Sequence, residues 1–159
     1  MLKYCLEKWN KNKAELEEAI REDCYINEYE YKYIVQLVVD YILNDEENEY
    51  SGTWDRGKIT VIDDGDYQGT LLFLIPIDTY QPSEYEYLLT FCSCGSCSGC
   101  DTLQRIQYGL ESLDNGLPGE GQVKQYMQLC KDLVCNMVKP YNDGWREGDR
   151  FVEVEYEAD

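Results

Sequence analysis

The sequence predicts an α+β fold: an antiparallel β-meander of about three to four strands, with two N-terminal and two C-terminal helices packed on it. Three observations carry this. Helical spacing of apolar residues fills 1–45 and 101–139. Between them, 57–92 holds β-branched and aromatic runs punctuated by turn residues. At 159 residues and 43% hydrophobic, the chain has the length and apolar content for one domain over 1–159.

Residues 2–22 read as helix, since Leu2, Leu6, Trp9, Leu16 and Ile20 fall roughly on one side. Asn12 and Glu15 have capping-box spacing, so a break near Asn10 is expected. The second helix carries Tyr31, Ile34, Leu37, Val38, Tyr41 and Ile42 at i, i+3, i+4, i+7, and the polar run after Asn44 ends it.

Lys58–Asp63 and Thr70–Ile77 read as strands on either side of Asp64-Gly65-Asp66-Tyr67-Gln68-Gly69, which has hairpin chemistry. Asp63, Asp64 and Asp66 miss calcium-loop spacing and read as turn residues. Trp54-Asp55-Arg56-Gly57 reads as a turn anchored by tryptophan, and Trp145 as its counterpart after the last helix. Tyr85–Cys92 follows as the third strand. Its Tyr85-Glu86-Tyr87 start offers an edge for a homodimer.

Asp101 and Gln104 then fit an N-cap and capping box, with Leu103, Ile106, Leu110 and Leu113 as the core stripe. Asn115–Gly119 reads as a linker. The last helix presents Val123, Tyr126, Met127, Cys130, Leu133, Val134, Met137 and Val138 on one face and ends at Pro140. The alternation over 150–157 reads as a short terminal strand.

The chain has 14 basic residues, 32 acidic residues and no histidine, for a net charge of −18. Histidine-based nucleophile pairs, general acid/base catalysis and HExxH hydrolases are excluded. A surface this acidic repels nucleic acid and anionic membranes and attracts basic protein surfaces. Glu15, Glu17, Glu18, Glu22 and Asp23, with Asp45, Glu46, Glu47 and Glu49, are the candidate interaction residues; a third acidic run lies at Glu147, Asp149, Glu153, Glu155, Glu157 and Asp159. The 15 tyrosines against 3 phenylalanines suit half-exposed interfaces, because the ring is buried while the hydroxyl stays wet. The start of the chain has no apolar leader, and no stretch approaches membrane-span length, so a cytoplasmic protein with reduced thiols is expected.

Half of the eight cysteines lie in one segment, Cys92-Ser-Cys94-Gly-Ser-Cys97-Ser-Gly-Cys100-Asp101. Three readings stay open. Cys92, Cys94, Cys97 and Cys100 supply four thiolates, the donor set for zinc, though in one loop rather than two separated knuckles. Cys97 and Cys100 form a CxxC ahead of a helix, where thiolate is favoured, without the flanks of a thioredoxin. Or Cys97, Ser98, Gly99, Cys100 and Asp101 form a tight loop whose backbone N–H groups hold an anion such as a nucleotide phosphate, with Asp101 competing for them. Cys130 reads as structural, Cys135 as exposed, and Cys5 and Cys24 as uninformative.

Gly65–Pro76 (GDYQGTLLFLIP), Asp78–Phe91 (DTYQPSEYEYLLTF), Gly95–Ile106 (GSCSGCDTLQRI) and Tyr126–Tyr141 together resemble a family of small uncharacterised proteins of Gram-positive bacteria and their phages. The resemblance covers most of the chain and implies a phage or mobile-element context without a mechanism. In the family pattern an aromatic stands where this chain has Cys94, so only Cys97 and Cys100 belong to it. The expectation is therefore a non-enzymatic, phage-type accessory protein. It would bind and inhibit a basic host nucleic-acid-binding protein, such as a CRISPR-type defence enzyme, in the host cytoplasm. It would need no cofactor, with zinc as the alternative.

Overall fold

A computed structural model describes residues 2–45, 52–109, 111–141 and 150–152. Helix α1 spans Leu2–Arg21 without a break. The expected break near Asn10 fails because Asn12 is not a cap. It is 6% exposed and donates from Nδ2 to the Ile42 carbonyl (3.1 Å) and to Asp45 (2.9 Å). The buried stripe of α1 is Cys5, Trp9, Leu16 and Ile20, with Lys8 and Asn12 between them. Cys5, which looked uninformative, belongs to the core through its i+4 spacing to Trp9.

Helix α2 (Tyr31–Val38) runs on into a π-helical segment, Val39–Leu43, closed by the Asn44 N–H on the Val39 carbonyl at 2.9 Å. One extra residue per turn rotates the face. Val39, Ile42 and Leu43 are buried as a result, whereas Tyr41, expected in the core, is exposed.

Strands β1 (Thr60–Asp64), β2 (Gln68–Pro76) and β3 (Tyr87–Gly95) form an antiparallel meander in the order β1-β2-β3. Asp64 pairs with Thr70 across the hairpin, whose closeness requires glycine: a Cβ at Gly69 would collide with the Asp64 carbonyl. Phe73, Ile75, Leu88 and Thr90 are fully buried on the helix-covered face, where Thr90 Oγ1 donates to the Leu133 carbonyl at 2.5 Å. Trp54 is buried as its anchoring role requires, and it bridges to Ile77. Trp145 lies outside the described residues.

Strand boundaries differ from expectation. β1 begins at Thr60, after the 3₁₀ turn that holds Lys58, and β2 spans Gln68–Pro76 and so takes in Gln68 and Gly69 of the expected loop. β3 is shifted at both ends. Tyr85 and Glu86 lie in a 3₁₀ turn, Glu84–Glu86, held by a capping box from Ser83, so β3 begins at Tyr87. It also continues through Cys92 and Cys94 to Gly95, because those residues pair with Leu71 and Gly69. Leu89 exchanges two backbone hydrogen bonds with Val138, which occupies that side of β3. Tyr85 and Glu86 thus lie outside the strand, and Val138 covers the β3 edge at Leu89. Among the described residues β1 is paired on one side only, by β2, and it is exposed throughout.

Helix α3 is shorter than its predicted stripe, Thr102–Gln107, and Leu113 is exposed. Leu110 lies outside the described residues. Helix α4 spans Glu120–Cys135 and packs on α1. It ends at the Asn136 C-cap rather than at Pro140; Met137 still fills the core and Val138 turns to β3. β4 (Lys139–Tyr141) pairs with β5 (Arg150–Val152), the start of the predicted terminal strand; 153–157 lie outside the described residues. Among the described residues no helix is long and apolar enough to cross a membrane.

Candidate functional site

The predicted acidic surface divides into residues that build the fold and residues that face solvent. Asp45 is 13% exposed and pairs with Lys8 and, at 3.7 Å, with Lys11. Burial pushes its carboxyl up, but hydrogen bonds from Lys8 and Asn12 and the two lysine charges hold it below its ordinary value. Asp23 accepts from the Tyr33 hydroxyl at 2.5 Å and from the Tyr25 N–H at 2.9 Å. Arg21 draws Glu17 (3.3 Å) and Glu18 (3.1 Å) toward Glu120 (2.8 Å). Glu15 and Glu22 are exposed. Glu46, Glu47 and Glu49 lie outside the described residues, as does the acidic run from Glu147 onward.

A second acidic region is assembled by the fold itself. The loop before α2, the β1–β2 hairpin and the start of α3 enclose a cleft of about 470 Å³. Glu28, Glu30, Asp63 and Asp66 contribute carboxylates against the ammonium of Lys32, and Tyr29 and Tyr67 stand at its exposed rim. Tyr29 continues a row of rings, 6.0 Å from Tyr25 and 4.7 Å from Tyr33 between centroids. Its apolar lining includes Leu71 and Phe73. Carboxylates beside tyrosine faces suit ammonium and guanidinium groups, which gain charge pairing and cation–π attraction together.

In the sequence Asp63 and Asp66 read as turn residues, and Glu28 and Glu30 belong to no motif. The alternation Glu28-Tyr29-Glu30-Tyr31 was a signal, but the contact with a hairpin more than thirty residues away became visible only in the fold.

The cysteine segment adjoins this cleft. Asp101, 3% exposed, accepts the Gln104 N–H at 2.8 Å as the N-cap of α3 and the Gly95 N–H at 3.0 Å with its other oxygen. The Gln104 side chain reaches toward the Gly95 carbonyl (3.4 Å), so the cap lacks the reciprocal half of a box. The Leu103 N–H donates to the Tyr31 hydroxyl at 3.0 Å. The Leu103 and Gln104 N–H groups at the start of α3 are therefore engaged within the fold, beside carboxylates.

The four thiols separate into two pairs. Cys92 and Cys94, two apart in a strand, face the Leu71 side of the sheet. The Cys100 Sγ packs on Gly95 from the opposite side, where a Cβ would stand 2.5 Å from it. Cys97 Sγ is 3.1 Å from Cys100 Sγ. Among the described residues no three or more Cys, Asp or Glu side chains are gathered as a metal-ligand group. Burial pushes the Cys92 thiol up to about 12, whereas hydrogen bonds with the Cys97 side chain and backbone lower that of Cys100.

Comparison with family models, with curated proteins and with solved structures finds no match to this chain.

Proposed function

We propose that the protein is a non-enzymatic binding protein whose acidic, tyrosine-rimmed cleft takes a basic protein surface. The observation that carries this reading is the convergence of Glu28, Glu30, Asp63 and Asp66 on one 470 Å³ cleft beside Tyr29 and Tyr67. A net charge of −18 extends the same preference over the molecule and speeds encounter with positive partners. The partner class that fits is a protein with a basic groove of the nucleic-acid-binding kind, occupied here by carboxylates in place of phosphates. With the phage-family resemblance, a host defence enzyme is the target and inhibition the consequence, in the host cytoplasm and without a cofactor.

The test is affinity capture from host lysate at low and high salt, with wild type beside an Asp63→Lys/Asp66→Lys variant. A basic protein held at low salt, shed at high salt and lost by the variant supports the reading. A partner retained equally by both proteins at both salts would place binding elsewhere and remove the electrostatic argument.

A further inference from the structure

Cys97 and Cys100 are brought together by backbone hydrogen bonds, not by chance proximity on a surface. The Cys97 carbonyl accepts the N–H of Cys100 at 3.0 Å and that of Asp101 at 2.9 Å, which winds the segment into a tight turn. That turn leaves the two sulfurs 3.1 Å apart, with Cys97 exposed to solvent. Closing a disulfide from there shortens the separation by about 1 Å. Gly95 gives the Cys100 sulfur room against the strand end, and buried Asp101 ties the strand end to α3.

Four of the other thiols are placed differently. Cys5 and Cys130 are fully buried, and Cys5 faces the Met137 sulfur at 3.6 Å. Cys92 and Cys94 lie in extended strand, where residues two apart are held about 7 Å apart at Cα, at the far limit for a bridge.

We propose that Cys97 and Cys100 are a redox-active dithiol, converted to an intramolecular disulfide by exchange with a low-molecular-weight disulfide such as glutathione disulfide. The Cys100 thiolate attacks one sulfur of the disulfide, breaking its S–S bond and releasing one thiolate. Cys97 then gives up its proton and attacks Cys100 Sγ, breaking the mixed disulfide and releasing the second. Two cysteine thiols are oxidised, one disulfide is reduced to two thiols, and the two cysteine protons end on those products. The order follows from the hydrogen bonds that favour thiolate at Cys100 and from the exposure of Cys97, which leaves it free to resolve. This activity is independent of the acidic cleft.

The test is incubation of reduced protein in glutathione/glutathione disulfide mixtures, followed by alkylation and peptide mass spectrometry. Wild type is expected to lose two hydrogens, with the bond mapped between Cys97 and Cys100, and to regain them with dithiothreitol. Cys97→Ser is expected to stop at one glutathione on Cys100, accumulating faster than on Cys97 of Cys100→Ser. Circular dichroism of both variants checks that the fold is kept. A bond mapped to any other pair, or full alkylation of Cys97 and Cys100 after incubation with excess glutathione disulfide, would overturn the proposal. Adduct on Cys97 of Cys100→Ser with none on Cys100 of Cys97→Ser would overturn the assigned order.

Discussion

The side-chain amide of Asn44 grips the backbone of Trp54 in both directions: the Trp54 N–H donates to Asn44 Oδ1 and Asn44 Nδ2 donates to the Trp54 carbonyl, each at 2.8 Å. This clasp joins the end of the π-helical segment to the chain entering the meander and seats Trp54 at 2% exposure. Asn44→Ala removes both bonds and is expected to cost about 2 kcal/mol, near 1 for each. Asn44→Asp keeps the acceptor but cannot donate to the carbonyl, so it should fall between the two. Urea denaturation of the three proteins checks the order, and an unchanged midpoint for Asn44→Ala would mean that the clasp contributes nothing net.

Lys8 and Asp45 make a second tie, between α1 and the end of the π-helical segment, at 7% and 13% side-chain exposure. Lys8→Met strands a buried carboxylate beside the more distant Lys11, and a loss of about 3 kcal/mol is expected. Because the folded Asp45 sits below its unfolded value, its contribution is present above about pH 4 and lost as pH falls through the folded value. Acid titration of stability should therefore be shallower in Lys8→Met than in wild type. Parallel curves would show that the pair does not govern the acid limb.

Alkaline pH acts through the buried thiols. Burial pushes Cys5, Cys92 and Cys130 up to about 12, whereas an unfolded cysteine titrates near about 8.5. A raised folded value means that stability is fully present below the unfolded value and is lost as pH rises toward the folded one. Each thiol should cost about 1.4 kcal/mol per pH unit over that window. Tyr31, Tyr33 and Tyr126, raised chiefly by burial, add to the decline above about pH 10. Denaturation midpoints between pH 8 and 11 measure the slope; Cys130→Ala should flatten it by one thiol's share.

The meander and the last helix were legible in the sequence because their signals are local. Val123, Tyr126, Cys130, Leu133 and Val134 keep one helical face, and the hairpin glycines stand between two β-rich runs. The Asp101 cap was legible for the same reason. What escaped was set by tertiary partners. Asn12 reads as a cap until Ile42 and Asp45 meet its amide, and the π-turn that turns Tyr41 outward leaves no periodic mark. The cleft unites Glu28 and Glu30 with Asp63 and Asp66, a juxtaposition no window of sequence contains. The cysteine segment was legible as a cluster, yet its division into a strand pair and a turn pair depended on how far β3 ran.

Gly95 decides that division, and its substitution is the sharpest probe of it. A methyl group there would stand 2.5 Å from Cys100 Sγ and 2.8 Å from the Cys100 carbonyl oxygen, inside van der Waals contact with both. Gly95→Ala must therefore push the Cys97–Cys100 turn off the end of β3, stretching the Gly95 N–H to Asp101 bond of 3.0 Å. A loss of about 1–3 kcal/mol is expected from the overpacked contact. Asp101→Ala should cost about 2 kcal/mol by a different route, losing the α3 cap and the tie to Gly95 while leaving room for the sulfur. Thiol oxidation separates the two: Gly95→Ala should form the disulfide more slowly than Asp101→Ala at matched stability. Equal rates would mean that the turn closes without support from the strand end.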